Sequence, residues 1–180
     1  MRIALTYWLA LLCLLPVLGH TAEQFPAQQT FAGQALNLNG KGIRAKAFFN
    51  LYNAGLYLQA SNNDATAILA DDQPSAVRLE ITSSMITSTT MEDAVREGFK
   101  YSDPDPALQS RIEKFIAVFK NEIKEGDVYD FVYKPTNMSI IKNGKAAATI
   151  AGHDFKQALY GIWIGNRPVQ ASLKKALLGR

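Results

Sequence analysis

The chain has 180 residues, with 19 Lys+Arg against 16 Asp+Glu, a formal charge of +3 and 48% hydrophobic residues. The excess of positive charge is small and the lysines are scattered, apart from Lys174 and Lys175, so no basic stripe for nucleic acid is present. One cysteine, Cys13, excludes a disulfide framework.

Taken in order, the chain opens on a positive n-region at Arg2. An apolar run follows from Ile3 to Leu18, interrupted by Thr6 and Pro16. Small residues at Gly19 and Ala22 then precede the polar Glu23 and Gln24. This is the layout of a secretory signal peptide over residues 1–22, with cleavage after Gly19 or after Ala22 both open. An uncleaved anchor is the alternative, but the run is shorter than the ~20 residues a comfortable span requires. Cys13 falls inside the run, so the mature chain would contain no cysteine. Export without disulfides suits a bacterial periplasm. About 158 residues remain, enough for one domain over 23–180. No second long apolar segment follows, so stable membrane insertion after cleavage is not expected.

Phe31 to Leu58 reads as β-structure, with Gly33, Gly40, Gly42 and Gly55 as turn or bulge markers. Ser61 to Pro74 reads as a loop with a helical turn near Ala65–Ala70. Ala76 to Thr82 alternates cleanly, with Val77, Leu79 and Ile81 on one face of a strand. Thr89 and Glu92 have capping-box spacing and predict a helix from there to about Lys100. SDPDP predicts a turn, with Asp105 as N-cap and Pro106 at the first helical position. Leu108, Ile112, Phe115, Ile116, Phe119 and Ile123 then form the stripe of an amphipathic helix closed by Gly126. Val128–Val132 reads as a strand, and Asn143-Gly144 joins two more in a hairpin. Helices at Asp154–Ile164 and Ala171–Leu178 end the chain, the last closed by Gly179. Strands, helices, hairpin and helices in this order imply an α+β fold with an antiparallel sheet.

Most reaction chemistries lack their residues. No H-E-x-x-H or cysteine–histidine cluster is present, so neither a metal site nor a cofactor is expected. Gly40-Lys41-Gly42 lacks the spacing of a phosphate loop, and His153 reads as a capping or surface residue at a helix start. The informative pair is Arg44 with Tyr52. On one continuous strand, eight residues apart, they would share a face, and Tyr57 would point the other way. A bulge or turn between them would change that assignment. An arginine fork matches a carboxylate and a tyrosine hydroxyl adds a donor, so the pair suits holding an anion rather than removing a proton. A surface arginine beside a core tyrosine is the plainer alternative.

Three segments carry a family resemblance: LNGKGIRAKAFFNLYNAGLYL at 38–58, TTMEDAVREGF at 89–99 and LYGIWIGNRPVQASLKKALLG at 159–179. Together they resemble the chalcone isomerase-like family, in its bacterial exported, non-catalytic branch. The resemblance implies an open-faced β-sandwich, a large antiparallel sheet covered on one face by helices with a ligand cleft between. It also implies that Arg44 faces that cleft, orienting an anionic substrate in the enzymes and a fatty-acid carboxylate in the binders. Tyr52 stands where the binders have tyrosine and the enzymes threonine. The enzymes' tyrosine and asparagine around the following helix have no counterpart in SSMITSTTMEDAV, where Thr87 is the nearest polar stand-in. The implied function is an exported binder of a fatty acid or similar amphipathic carboxylate, with Arg44, Tyr52 and Thr87 as ligand-binding residues. The alternatives are an isomerase or intramolecular lyase of unknown substrate, and an interaction module whose cleft is filled by Phe48, Phe115 or Phe119.

Overall fold

A computed structural model describes residues 24–180; the expected signal peptide lies outside them. Seven strands, β1 (Gln28–Phe31), β2 (Gln34–Lys46), β3 (Phe49–Leu58), β4 (Ser75–Ile81), β5 (Val128–Lys134), β6 (Asn137–Lys142) and β7 (Lys145–Ala151), form one curled antiparallel sheet in sequential order. Five α-helices accompany it: α1 (Ala65–Ala70), α2 (Ser88–Ser102), α3 (Gln109–Ile116), α4 (His153–Ile164) and α5 (Ala171–Leu177). This is the α+β fold with an antiparallel sheet expected from the order of elements, with the helix cover that the family resemblance implies.

The two faces of the sheet carry separate apolar clusters. Ala54, Leu56, Val77, Leu79, Ile81 and Phe131 face the helices. The stripe Leu108, Ile112, Phe115, Ile116, Phe119 and Ile123 is buried there throughout. Its first five members lie in a 3-10 turn at Pro106–Leu108, in α3, and in a second 3-10 turn at Ala117–Lys120. The helical part ends there, with Asn121 extended, rather than at Gly126 as expected, and Ile123 packs from the following loop. Phe115 sits at the centre of an aromatic cluster, edge-on to Phe99, Phe119, Phe131 and Phe155 at centroid distances of 5.2–6.0 Å. Such pairs add to plain area burial. On the other face Phe25, Phe31, Leu36, Tyr57 and Val132 pack together, so the face without helices is covered by the N-terminal segment.

A buried ion pair spans that second face. Arg78 and Asp130 are register partners on β4 and β5, and Nε and Nη2 of the arginine donate to the two carboxylate oxygens at 2.7 and 3.0 Å. The guanidinium also lies 5.1 Å from the Phe31 ring centroid.

Several local expectations shift by a residue or two for identifiable reasons. The cap of α2 is Thr87, not Thr89: Thr87 Oγ1 accepts from Thr90 N, and Thr90 Oγ1 accepts from Thr87 N. A second threonine thus performs the reciprocal role that Glu92 was expected to play. Asp105 caps the 3-10 turn as expected, accepting from Ala107 N at 2.8 Å. Asn143-Gly144 has positive φ at both positions, as its hairpin requires. Gly40 borders a β-bulge after Leu38, as expected, while Gly42 marks neither a turn nor a bulge. A Cβ on Gly40 would lie 2.1 Å from the Ala176 carbonyl oxygen, and one on Gly42 would lie 2.7 Å from Ala176 Cβ. These glycines let α5 lie directly on β2. Among the described residues, no helix is long and apolar enough to cross a membrane.

Candidate functional site

Arg44 and Tyr52 come together by a route different from the one continuous strand. The chain turns at Ala47, which has φ of +53°, and Phe48. Arg44 on β2 and Tyr52 on β3 are therefore direct register partners. Partners opposite each other share a face, so the pair still points one way, and Tyr57 lies on the other side against Phe31. A bulge between Arg44 and Ala45 leaves Leu51 without a register partner on β2. Leu51 and Tyr52 consequently both line one cavity, which regular alternation would forbid.

That cavity, of about 260 Å³, lies between the β2–β3 hairpin, α2 and α4. Its inner wall is apolar, with Leu79, Phe115, Phe119, Phe131 and Leu159. Its outer residues, Lys46, Met85, Thr90, Glu97 and Tyr101, are exposed and mark the mouth. Phe115 and Phe119 shape the inner end rather than filling it, and Phe48 is wholly exposed at the hairpin tip.

The polar end of the cavity is assembled by α4 and the segment after it. Trp163 stacks on Phe131 at 6.0 Å with 19° between the rings. So held, its Nε1 donates to the Tyr52 hydroxyl oxygen at 3.0 Å. Gln170 completes the frame. β1 pairs with β2 only as far as Asn37, so the outer edge of β2 beyond it has no strand neighbour. The Gln170 amide fills part of that gap. Its Oε1 accepts from Ala45 N at 2.9 Å and from Arg44 Nη1 at 3.2 Å, and its Nε2 donates to the Ile43 carbonyl at 3.1 Å. Arg44 also donates to the Ala45 carbonyl. Among the described residues, no carboxylate lies within ion-pair distance of Arg44.

The electrostatics of the pair are one-sided. Burial pushes the Tyr52 phenol above its usual value, against the opposing pulls of the Trp163 hydrogen bond and the Arg44 charge. The phenol is therefore protonated across the physiological range. With Trp163 donating into its oxygen, the Tyr52 proton is left for an acceptor in the cavity, and none is supplied by the described residues. The arrangement presents a guanidinium and a hydroxyl donor at the polar end of an apolar space. This pair is suited to an anion, and neither of its members is a base at neutral pH; the carboxylate among the lining residues is Glu97 at the mouth.

Thr87 stands apart from this site. It is exposed, its hydroxyl is engaged in the α2 cap, and Thr90 rather than Thr87 lines the cavity. Trp163 and Gln170 were not singled out by sequence reasoning. Both lie in the segment 159–179, but only the folded chain shows that they meet Arg44 and Tyr52. His153, as expected, opens α4, where its Nε2 lies 3.0 Å from the Asp71 carbonyl oxygen. No group of His, Cys, Asp and Glu that could hold a metal ion occurs among the described residues.

The family profile described as chalcone isomerase-like matches residues 20–179. The chain belongs to the chalcone isomerase-like family. Among solved structures, a fatty-acid binding protein of Arabidopsis thaliana is similar to it, with a TM-score of 0.65 and 18% identity. That likeness covers 86% of this chain and 90% of the plant protein, so the fold is shared over nearly the full length of both. The sequence matches no curated protein. As a chalcone isomerase-like chain, it keeps the helix-covered sheet and places its cavity between sheet and helices.

Proposed function

We propose that this chain is an exported, non-catalytic binding protein for a fatty acid or a similar amphipathic carboxylate. The observation that carries the reading is Arg44, a guanidinium at the polar end of an apolar cavity with no carboxylate of the described chain to neutralise it. A ligand carboxylate supplies that partner, with two hydrogen bonds from the arginine fork and one from Tyr52. The apolar walls take the chain, at ~0.8 kcal/mol for each methylene removed from water. The fatty-acid binding activity of the Arabidopsis protein of the same fold supports the same reading. The signal-like N-terminus and the absence of cysteine from the mature sequence support export to a periplasm.

The test is native mass spectrometry of the mature protein purified from its own periplasm, followed by organic extraction, with Arg44→Ala in parallel. A co-purifying fatty acid that is depleted in the variant is the expected result. A mass with no ligand, together with no uptake of added fatty acid, refutes the binder. Intact N-terminal mass in the same experiment tests export, since cleavage after Gly19 or Ala22 must be visible.

A further inference from the structure

The tip of the β2–β3 hairpin is apolar and stands in water. Phe48 is 100% exposed, Phe49 54% and Ile43 47%. Single exposed apolar residues are ordinary on a soluble protein, but two adjacent rings at one turn, one of them bare on every side and with Ile43 further along the same hairpin, call for a partner. Phe48 is excluded from the cavity and packs on nothing, so its ring serves no purpose within the fold.

Two further observations say what covers it. The first is position: Lys46, two residues from Phe48, lines the cavity mouth together with Met85, which is itself 51% exposed. The bare aromatics thus flank the entrance to the site. The second is charge. From 41 to 58 the hairpin carries Lys41, Arg44 and Lys46 and no acidic residue. The opposite rim, residues 82–90, is uncharged. Nearby carboxylates are Glu97 at the mouth and Glu125, whose side chain accepts from Ser84 N at 2.6 Å. Bare aromatic rings beside Lys46, on a hairpin without acidic residues, suit an interface with anionic headgroups, where the rings enter the acyl boundary and the lysine meets phosphate.

We propose that the hairpin tip docks on an anionic lipid surface, bringing the cavity mouth to the bilayer so that an amphipathic carboxylate passes directly between membrane and cleft. The proposal rests on the fatty-acid reading for its purpose but on the tip alone for its geometry. Contact is peripheral: Phe48 and Phe49 enter the interface while the sheet remains in water.

The experiment is vesicle flotation of the mature protein with phosphatidylcholine alone and with phosphatidylcholine mixed with phosphatidylglycerol. The variant is Phe48→Ser with Phe49→Ser, both exposed and both outside the cavity lining. A pyrene-labelled long-chain fatty acid added from solution measures ligand affinity on the same samples. The expected result is flotation that is stronger on the anionic vesicles and reduced about tenfold or more in the variant, with solution affinity unchanged. Absence of flotation on either vesicle, or equal flotation of the variant, overturns the proposal. A concentration-dependent dimer abolished by the variant also overturns it and assigns the tip to a second copy of the chain. Flotation decides docking and solution uptake decides the ligand, so either reading can fail without the other.

Discussion

Replacing Arg44 by leucine removes the guanidinium while keeping an aliphatic side chain in its place. In the folded protein the loss is modest. Arg44 is half-buried, and its protein hydrogen bonds go to the Gln170 side chain and the Ala45 carbonyl. Gln170 keeps its bonds to Ala45 N and Ile43 O in the variant. A stability change of about 1 kcal/mol is expected, the usual net worth of such bonds. Ligand binding is affected differently. Two charge-assisted bonds to a carboxylate, at ~1.5–3 kcal/mol each, correspond to a loss of roughly a hundredfold to ten-thousandfold in affinity. The tail's contribution is untouched because the apolar wall is unchanged. The assay is displacement of a fluorescent fatty acid by a long-chain fatty acid and, separately, by its methyl ester. The protein with Arg44 prefers the acid strongly; Arg44→Leu binds acid and ester alike. Tyr52→Phe, which removes one hydroxyl donor at ~1 kcal/mol, weakens the acid about fivefold and the ester less. If Arg44→Leu weakens acid and ester by the same factor, the arginine shapes the cavity instead of holding a charge, and the reasoning fails.

Three further outcomes test the frame around the site. Asp130→Ala leaves Arg78 charged against Phe31 without its partner, since both side chains are only about a tenth exposed. It costs ~3–5 kcal/mol in urea denaturation, whereas the double replacement Arg78→Met with Asp130→Leu is near neutral. Gly40→Ala drives a methyl into the Ala176 carbonyl oxygen, a backbone atom that cannot turn aside. It lowers the melting temperature by roughly 5–10 °C through overpacking. Lys156, 1% exposed, donates to the carbonyls of Ile68, Leu69 and Asp71 at the end of α1, and burial lowers its ammonium to about 8 against the pull of Asp71 and Asp72. Because the folded value lies below the ordinary 10.5, the unfolded chain binds this proton more tightly between about pH 8 and 10.5. Its contribution to stability therefore rises with pH across that window, by at most about 3 kcal/mol. Denaturation midpoints at both ends of the window should show the rise, and Lys156→Met should abolish it.

Much of the architecture is legible in the chain because it is local. The stripe Leu108 to Ile123, the Asn143-Gly144 turn and the Asp105-Pro106 start each rest on spacings of a few residues. The turn and the start appear where expected, and the stripe is buried throughout although its helical part ends at Lys120, before Ile123 and Gly126. The family resemblance was likewise readable from three segments, and it carried the cleft-facing arginine with it. The turn at Ala47-Phe48 was not read, because neither residue is a turn former and Ala47 takes its positive φ from the hairpin closing around it. Arg44 and Tyr52 were paired correctly, but through a strand that does not exist as one piece. Their shared face survived because opposite register and even spacing lead to the same side.

What the sequence alone determined is chemistry and period: an arginine and a tyrosine that can donate to an anion but are no base, and amphipathic elements that must cover a sheet. What tertiary structure decided is which distant groups complete the site. Trp163 reaches Tyr52 across 111 residues, and Gln170 reaches Arg44 across 126. No spacing rule links residues so far apart. Trp163 is aimed by its stacking on Phe131, and Gln170 is drawn in by an unpaired strand edge. Gly40 and Gly42 show the same dependence. They read as punctuation in the chain, and only the approach of α5 reveals that their missing side chains make room for a helix.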